Sequence, residues 1–91
     1  MDLDALIEYF FETGDPTELG EAEFERGLER LRIGFAVERE PGRRFALWTL
    51  MEALGVAPLP AEAFAKEPTL KAAAEDYLAA AFRLERFGES E

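Results

Sequence analysis

The side chains able to carry out acid–base chemistry in this chain are carboxylates, lysines and tyrosines, because the sequence contains no histidine and no cysteine. Histidine is the commonest general base and transition-metal ligand, and cysteine supplies thiolate nucleophiles and zinc–sulfur sites. The sequence also has no phosphate-binding loop, nucleophile elbow or metal-ligand spacing. We therefore predict that the protein is not an enzyme and holds no cofactor and no metal ion.

One carboxylate is nevertheless a candidate for catalysis. Glu52 is the one acid in the apolar stretch of residues 45–56. A buried carboxylate is costly without a partner, and such groups are frequent in active sites. More often they pair with an arginine or reach the surface from the edge of a helix. The sequence does not decide whether Glu52 is buried.

Three arginines form the strongest candidate binding surface. Arg39, Arg43 and Arg44, which we call the arginine cluster, flank Pro41-Gly42, a pair typical of turns. Arg43 and Arg44 should then lie at the N-terminus of the third helix, where backbone N–H groups favour anions. Arginine forks bind carboxylates and phosphates through paired hydrogen bonds. We predict a surface for an anion or an acidic partner. Alternatively, these arginines pair with acids of this chain or of a second copy.

Helical spacing of apolar residues predicts the elements that position these groups. The first helix has its apolar face at Leu3, Leu6, Ile7, Phe10 and Phe11, and Gly14 should end it. Asp15-Pro16 is typical of a helix start, and a break in the second helix is expected at Gly20. The third helix is almost uniformly apolar and should be the most buried.

A seven-residue repeat of glycine marks the second helix, at Gly20, Gly27 and Gly34. Glycine inside a helix costs about 1 kcal/mol relative to alanine, so the repeat suggests that another helix packs closely there. Equally, Gly20 and Gly34 could only bound the helix. Residues 32–40 are ambiguous between the end of this helix and a strand, which would pair with the following segment in a hairpin.

The stretch ALGVAPLPAEAF, residues 53–64, resembles a helix-turn-helix motif only in Leu54, Gly55 and Val56. A recognition helix needs polar and basic side chains for the major groove. The short helix that follows has two prolines at its entry, and the net charge of the sequence around it is negative. We interpret the stretch as a glycine helix stop, a turn stiffened by proline and a short packing helix.

The last helix is predicted to run from about Pro68 to Phe87, with residues 88–91 frayed. A seam of small and apolar residues follows one side of it. Leu78 and Phe82 fall on a shoulder beside this seam and form a second possible interface. The whole sequence, residues 1–91, is expected to form one small helical bundle of four to five helices.

Charge is unevenly distributed over the chain, whose net charge is −10. Residues 1–29 carry ten acids and one arginine, giving −9, whereas residues 30–44 carry five arginines and two glutamates, giving +3. An acidic protein repels nucleic acid and attracts basic partners. We predict a non-enzymatic adaptor or subunit that contacts a protein, basic or a second copy of itself. Binding of nucleic acid or an anion by the arginine cluster is the alternative.

Composition also predicts the setting in which the protein works. The N-terminal stretch is acidic where a secretion signal is basic, and no apolar run reaches the roughly 18 residues that a membrane span needs. We therefore expect a cytoplasmic protein. The chain lacks asparagine and glutamine and is rich in glutamate and arginine. This composition suggests a thermophilic source.

Overall fold

The computed structural model describes the backbone of residues 3–89 and the side chains of residues 3–82. In that part of the chain, the five α-helices are α1 (Leu3–Phe11), α2 (Glu21–Val37), α3 (Pro41–Ala53), α4 (Pro60–Ala63) and α5 (Pro68–Glu89). A 3-10 turn at Pro16–Glu18 stands between α1 and α2. The described residues contain no strand, so the predicted all-α class with four to five helices is confirmed. Among the described residues, no helix combines the length and the apolar composition that are needed to span a lipid bilayer.

The chain divides into two compact units. The N-terminal unit, residues 1–57, contains α1 to α3, and the C-terminal unit, residues 58–91, contains α4 and α5. That residues 1–91 form one domain stays a prediction. Helix α5 extends to Glu89, beyond the expected end at Phe87. Of the residues predicted to fray, positions 90 and 91 lie outside the described residues.

Two glycines allow α1 and α2 to pack closely in the N-terminal unit. A Cβ at Gly27 would overlap the ring of Phe11, and a Cβ at Gly34 would lie 2.9 Å from the ring of Phe10. Both phenylalanines are buried. Gly20, in contrast, has no neighbour of this kind within 4 Å and is the N-cap of α2. Close packing therefore explains two glycines of the seven-residue repeat, and helix initiation explains the third.

Helix α2 continues without interruption to Val37, which excludes the hairpin alternative for residues 32–40. The helical stripe of Leu28, Leu31 and Phe35 is buried along its length. Pro41 and Gly42, which the hairpin would have used as its turn, instead form the first turn of α3. Proline suits this position because the first N–H groups of a helix have no partner within it.

The end of α1 differs from the prediction. The helix ends at Phe11 and not at Gly14, and Glu12 takes a left-handed conformation with φ of 61°. This region costs a non-glycine residue about 1–2 kcal/mol. Because Phe10 and Phe11 are both held against α2, we attribute the early end to tertiary packing, which overrides the local signal at Gly14.

Helix α3 ends as predicted, at a glycine. Gly55 has φ of 76°, the Val56 N–H donates to the Met51 carbonyl at 2.9 Å, and the Gly55 N–H donates to the Glu52 carbonyl at 3.0 Å. This pair of hydrogen bonds defines a Schellman motif, which satisfies carbonyls at the helix end. The resemblance of Leu54-Gly55-Val56 to a DNA-binding turn is therefore explained by a helix stop. Four residues of α3 are buried, and its Trp48 side chain is fully buried; that α3 is the most buried helix stays a prediction.

Replacing Gly55 with alanine should lower the free energy of unfolding by about 1 kcal/mol. An alanine side chain disfavours the left-handed conformation by about 1–2 kcal/mol, and the lower entropy of the unfolded chain offsets part of this cost. Urea denaturation of both proteins measures the difference. Gly14→Ala is the matched control, because a Cβ there meets nothing within 4 Å. Equal losses in the two variants would contradict a specific role for φ at Gly55.

Candidate functional site

The arginine cluster surrounds the start of α3. Arg43 and Arg44 lie in the first turn of this helix, as predicted, and Arg39 lies in the connection that precedes it. The three side chains therefore share one region of the N-terminal unit. Their individual contacts differ, and these contacts decide what each arginine is able to bind.

Arg44 is held by the end of α2. Its Nη1 atom donates to the carbonyl oxygen of Phe35 at 3.0 Å and to that of Glu38 at 3.1 Å. The guanidinium carbon also lies 4.4 Å from the centroid of the Phe35 ring. A cation at the C-terminus of a helix is favoured by the helix dipole, and the last carbonyls there lack partners within the helix. Arg44 thus joins α2 to α3 through two hydrogen bonds from one of its guanidinium nitrogens.

The N-terminus of α3 is occupied by a carboxylate of the chain itself. Glu40 is the N-cap residue: its Oε2 atom accepts from the Arg43 N–H at 2.7 Å, and its Oε1 atom accepts from the Gly42 N–H at 3.1 Å. These backbone hydrogen bonds, the one from Arg43 first, hold the pKa of Glu40 below its usual range. The position where the sequence predicted an external anion is therefore filled by an internal one, which an incoming anion would have to displace.

The Glu40 cap predicts a specific pH dependence. Because the pKa of Glu40 is lower in the folded than in the unfolded protein, its cap stabilises the fold above the ordinary glutamate pKa. This contribution disappears as the pH falls through the lowered, folded-state value. Urea denaturation across that acidic range should show wild type more stable than Glu40→Gln at neutral pH, with the difference shrinking on acidification.

A matched control separates this effect from the general loss of charge. Glu25→Gln removes an exposed carboxylate from α2, and its stability relative to wild type should change little over the same range. A Glu40→Gln difference that stays constant with pH would show that the cap does not depend on ionisation.

The remaining two arginines are more exposed. Arg43 pairs with Glu38 at 3.9 Å between Nη1 and Oε1. The Glu38 Oε2 atom accepts from the N–H groups of Arg39 and Glu40 at 3.1 and 3.2 Å. Within the described side chains, no ion pair of Arg39 is formed. The described ion pair of the cluster is thus with an acid of its own segment, Glu38. Two arginines outside the cluster pair with acids of residues 1–29: Arg30 with Glu12 at 4.0 Å, and Arg32 with Glu29 at 3.9 Å.

A groove between α1 and α2, with the start of α3 also contributing to its lining, was missed by the sequence predictions. It has a volume of about 700 Å³. Leu6 and Phe10 are buried side chains that line it, and Tyr9, Ile33 and Val37 line it with exposed side chains. Arg30, Arg43 and Glu38 are its charged residues. We call this feature the α1–α2 groove.

The three exposed apolar residues are unusual in the extent of their exposure. Tyr9 is 71%, Ile33 55% and Val37 69% exposed. The sequence carried a signal for the two on α2, since at 100° per residue Ile33 and Val37 fall on the side of the helix opposite the buried stripe. Contiguous exposed apolar side chains on a small protein typically mark an interaction surface.

The predicted interface on α5 is a separate feature of the C-terminal unit. Phe82 is 61% exposed and Leu78 is half-buried. They lie beyond Lys71 and Glu75, which form an i,i+4 ion pair at 3.4 Å. Phe82 is therefore accessible from solvent. No described contact shows what Leu78 and Phe82 would bind, and their role as an interface stays a prediction.

Glu52 is half-buried near the end of α3. Intermediate exposure fits the interpretation of a carboxylate that reaches the surface from a helix edge.

The sequence matches no protein-family model and no curated protein, and the fold matches no solved structure.

Proposed function

We propose that the protein is a non-enzymatic interaction module, a small acidic adaptor or subunit, that binds a protein partner through the α1–α2 groove. The observation that carries this proposal is the exposure of Tyr9, Ile33 and Val37 along a groove with an apolar floor. Cytoplasmic location, a thermophilic source and self-association stay predictions from composition.

Burial of these side chains supplies the driving force. Removing apolar surface from water contributes about 25 cal/mol per Å², so a few exposed side chains of this size provide several kcal/mol of gross binding energy. Part of this gain offsets the lost freedom of the partners. An open groove between two helices is suited to the side chains of a further helix, which is a common mode of peptide recognition.

A single charge in the groove tests the proposal. The full chain, carrying a photo-crosslinking residue at position 5 in the groove lining, should form a defined crosslinked complex in cells of its native host. Ile33→Glu should reduce the yield of that complex at least tenfold, because it places a charge against the apolar anchors of the partner. Ile33 is exposed in the free protein, so this variant should keep the wild-type melting temperature to within a few degrees.

Phe82→Glu is the matched control. It places the same charge on an exposed apolar residue in the C-terminal unit, and the complex should form as with wild type. If Phe82→Glu removes the complex and Ile33→Glu does not, the binding surface lies on α5 and the groove assignment is wrong. If no complex forms with the folded wild-type protein, the proposed function fails.

A further inference from the structure

The charged residues of the α1–α2 groove have the opposite sign to the protein as a whole. Arg30 and Arg43 line the groove with one acid, Glu38, which gives the lining a charge of +1 in a chain of −10; Glu12, the ion-pair partner of Arg30, lies outside the lining. Electrostatic complementarity at an interface directs partner choice and association rate. The groove therefore favours an acidic occupant, although the net charge of the protein alone predicted a basic partner.

Both arginines are held loosely enough to exchange partners. Arg30 is paired with Glu12 at 4.0 Å and donates from Nη2 to the Tyr9 carbonyl oxygen at a long 3.5 Å, and Arg43 is paired with Glu38 at 3.9 Å. The arginine side chains are 50% and 58% exposed in these pairs. Long, solvent-exposed ion pairs contribute little, typically about 0–1 kcal/mol. A carboxylate of the partner competes effectively with Glu12 and Glu38 for these arginines, because the apolar residues beside it are removed from water when the partner binds.

The spacing of the two arginines sets the length of the apolar centre between them. Arg43 pairs with Glu38, the C-cap of α2, and Glu38 is eight positions after Arg30. At 1.5 Å per residue, these two backbone positions are about 12 Å apart. Ile33 and Val37 lie between them, three and seven positions after Arg30. The groove thus presents an apolar centre of about two helical turns with a guanidinium group near each end.

We propose that the occupant of the α1–α2 groove is an amphipathic helix with about two turns of apolar side chains and a carboxylate residue at each end of that apolar face. This inference rests on the proposed function and specifies the chemistry of its partner. The apolar anchors at i, i+3 or i+4, and i+7 would cover Tyr9, Ile33 and Val37, and the flanking carboxylates would bind Arg30 and Arg43.

A displayed peptide library tests this chemistry directly. Its members are helices of about 18 residues, long enough to be helical in solution. The apolar face varies among leucine, isoleucine, phenylalanine and methionine, and the two flanking positions vary among glutamate, lysine and alanine. Selection against the full-length protein should enrich glutamate at both flanks. The selected peptide should bind at least tenfold more tightly than its lysine-flanked counterpart at low salt, and the ratio should narrow as salt increases.

Charge reversal in the protein provides the second arm. With Arg30→Glu, the preference for glutamate over lysine at the nearer flank should be lost or inverted, while Ile33→Glu should abolish binding of every selected peptide. Circular dichroism melts confirm that both variants are folded. Lysine or alanine at the flanks, or a glutamate preference unchanged by Arg30→Glu, overturns the inference.

The outcomes separate this inference from the proposed function. Peptides that bind through Ile33 without any charge preference would leave the interaction module intact and overturn only the acidic partner. If no peptide binds and light scattering shows a dimer that Ile33→Glu dissociates, the occupant is a second copy and the inference is wrong. If no peptide binds and the wild-type chain is a monomer, both the inference and the groove assignment are wrong.

Discussion

Replacing Gly27 with alanine is expected to lower the free energy of unfolding by about 1–2 kcal/mol. Glycine to alanine inside a helix normally stabilises it by up to about 1 kcal/mol. Here the new Cβ would overlap the ring of Phe11, a side chain that is only 4% exposed and stacks on Phe24 with centroids 5.4 Å apart. Overpacking a well-filled core costs about 1–3 kcal/mol, which exceeds the gain in helix propensity.

A double-mutant cycle shows whether Phe11 is the cause. In a Phe11→Leu background the ring is gone, so Gly27→Ala should cost much less there than in wild type or should be neutral. The difference between the two backgrounds measures the coupling between positions 11 and 27. Equilibrium urea denaturation provides all four values. An equal cost of Gly27→Ala in both backgrounds would mean that the glycine is needed for another reason.

Replacing Arg44 with methionine should lower the free energy of unfolding by about 2 kcal/mol. The variant loses the hydrogen bonds to the carbonyl oxygens of Phe35 and Glu38, and hydrogen bonds from charged donors contribute about 1.5–3 kcal/mol. Methionine keeps an apolar contact with the Phe35 ring, so the measured loss reports mainly the polar contacts. Thermal and urea denaturation measure this loss.

The neighbouring arginines are the controls for Arg44. Arg39→Met and Arg43→Met should change the stability by no more than about 0.5–1 kcal/mol, because exposed ion pairs contribute little. If all three substitutions have the same effect, the distinction between a structural Arg44 and the more exposed Arg39 and Arg43 is wrong. The comparison therefore divides the arginine cluster by role.

Local sequence signals predicted the helices well because most of them are independent of tertiary structure. The break at Gly20 and the stop at Gly55 both follow from backbone preferences of glycine. Pro41 and Gly42 were interpreted as a turn before α3, whereas they form its first turn, a position that proline suits. The position of Arg43 and Arg44 in the first turn of α3 followed from the same signals. Capping by Glu40 was missed, because the residues preferred at an N-cap are asparagine, aspartate, serine and threonine, and glutamate is not among them.

The α1–α2 groove was missed for a different reason. Ile33 and Val37 were treated as apolar residues of an ambiguous segment, and an apolar residue is assigned to the core by default. Helical spacing places both residues opposite the buried stripe of α2, but that signal applies only if residues 32–37 are helical, and the sequence left a strand open there. Likewise, the end of α1 at Phe11 depends on the contact of Phe11 with Gly27 and of Phe10 with Gly34, which lie 16 and 24 positions later in the chain.

Glu12 combines an unfavourable backbone conformation with an ion pair to Arg30, a residue of the groove lining. It stands in a left-handed conformation that glycine adopts without penalty, and its carboxylate lies 4.0 Å from the Arg30 guanidinium. Selection for heat resistance alone would favour glycine at position 12. The same change would remove the carboxylate that pairs with Arg30. For the proposed groove partner, a variant selected in the laboratory for stability would then also bind with a changed affinity, through a residue outside the groove lining.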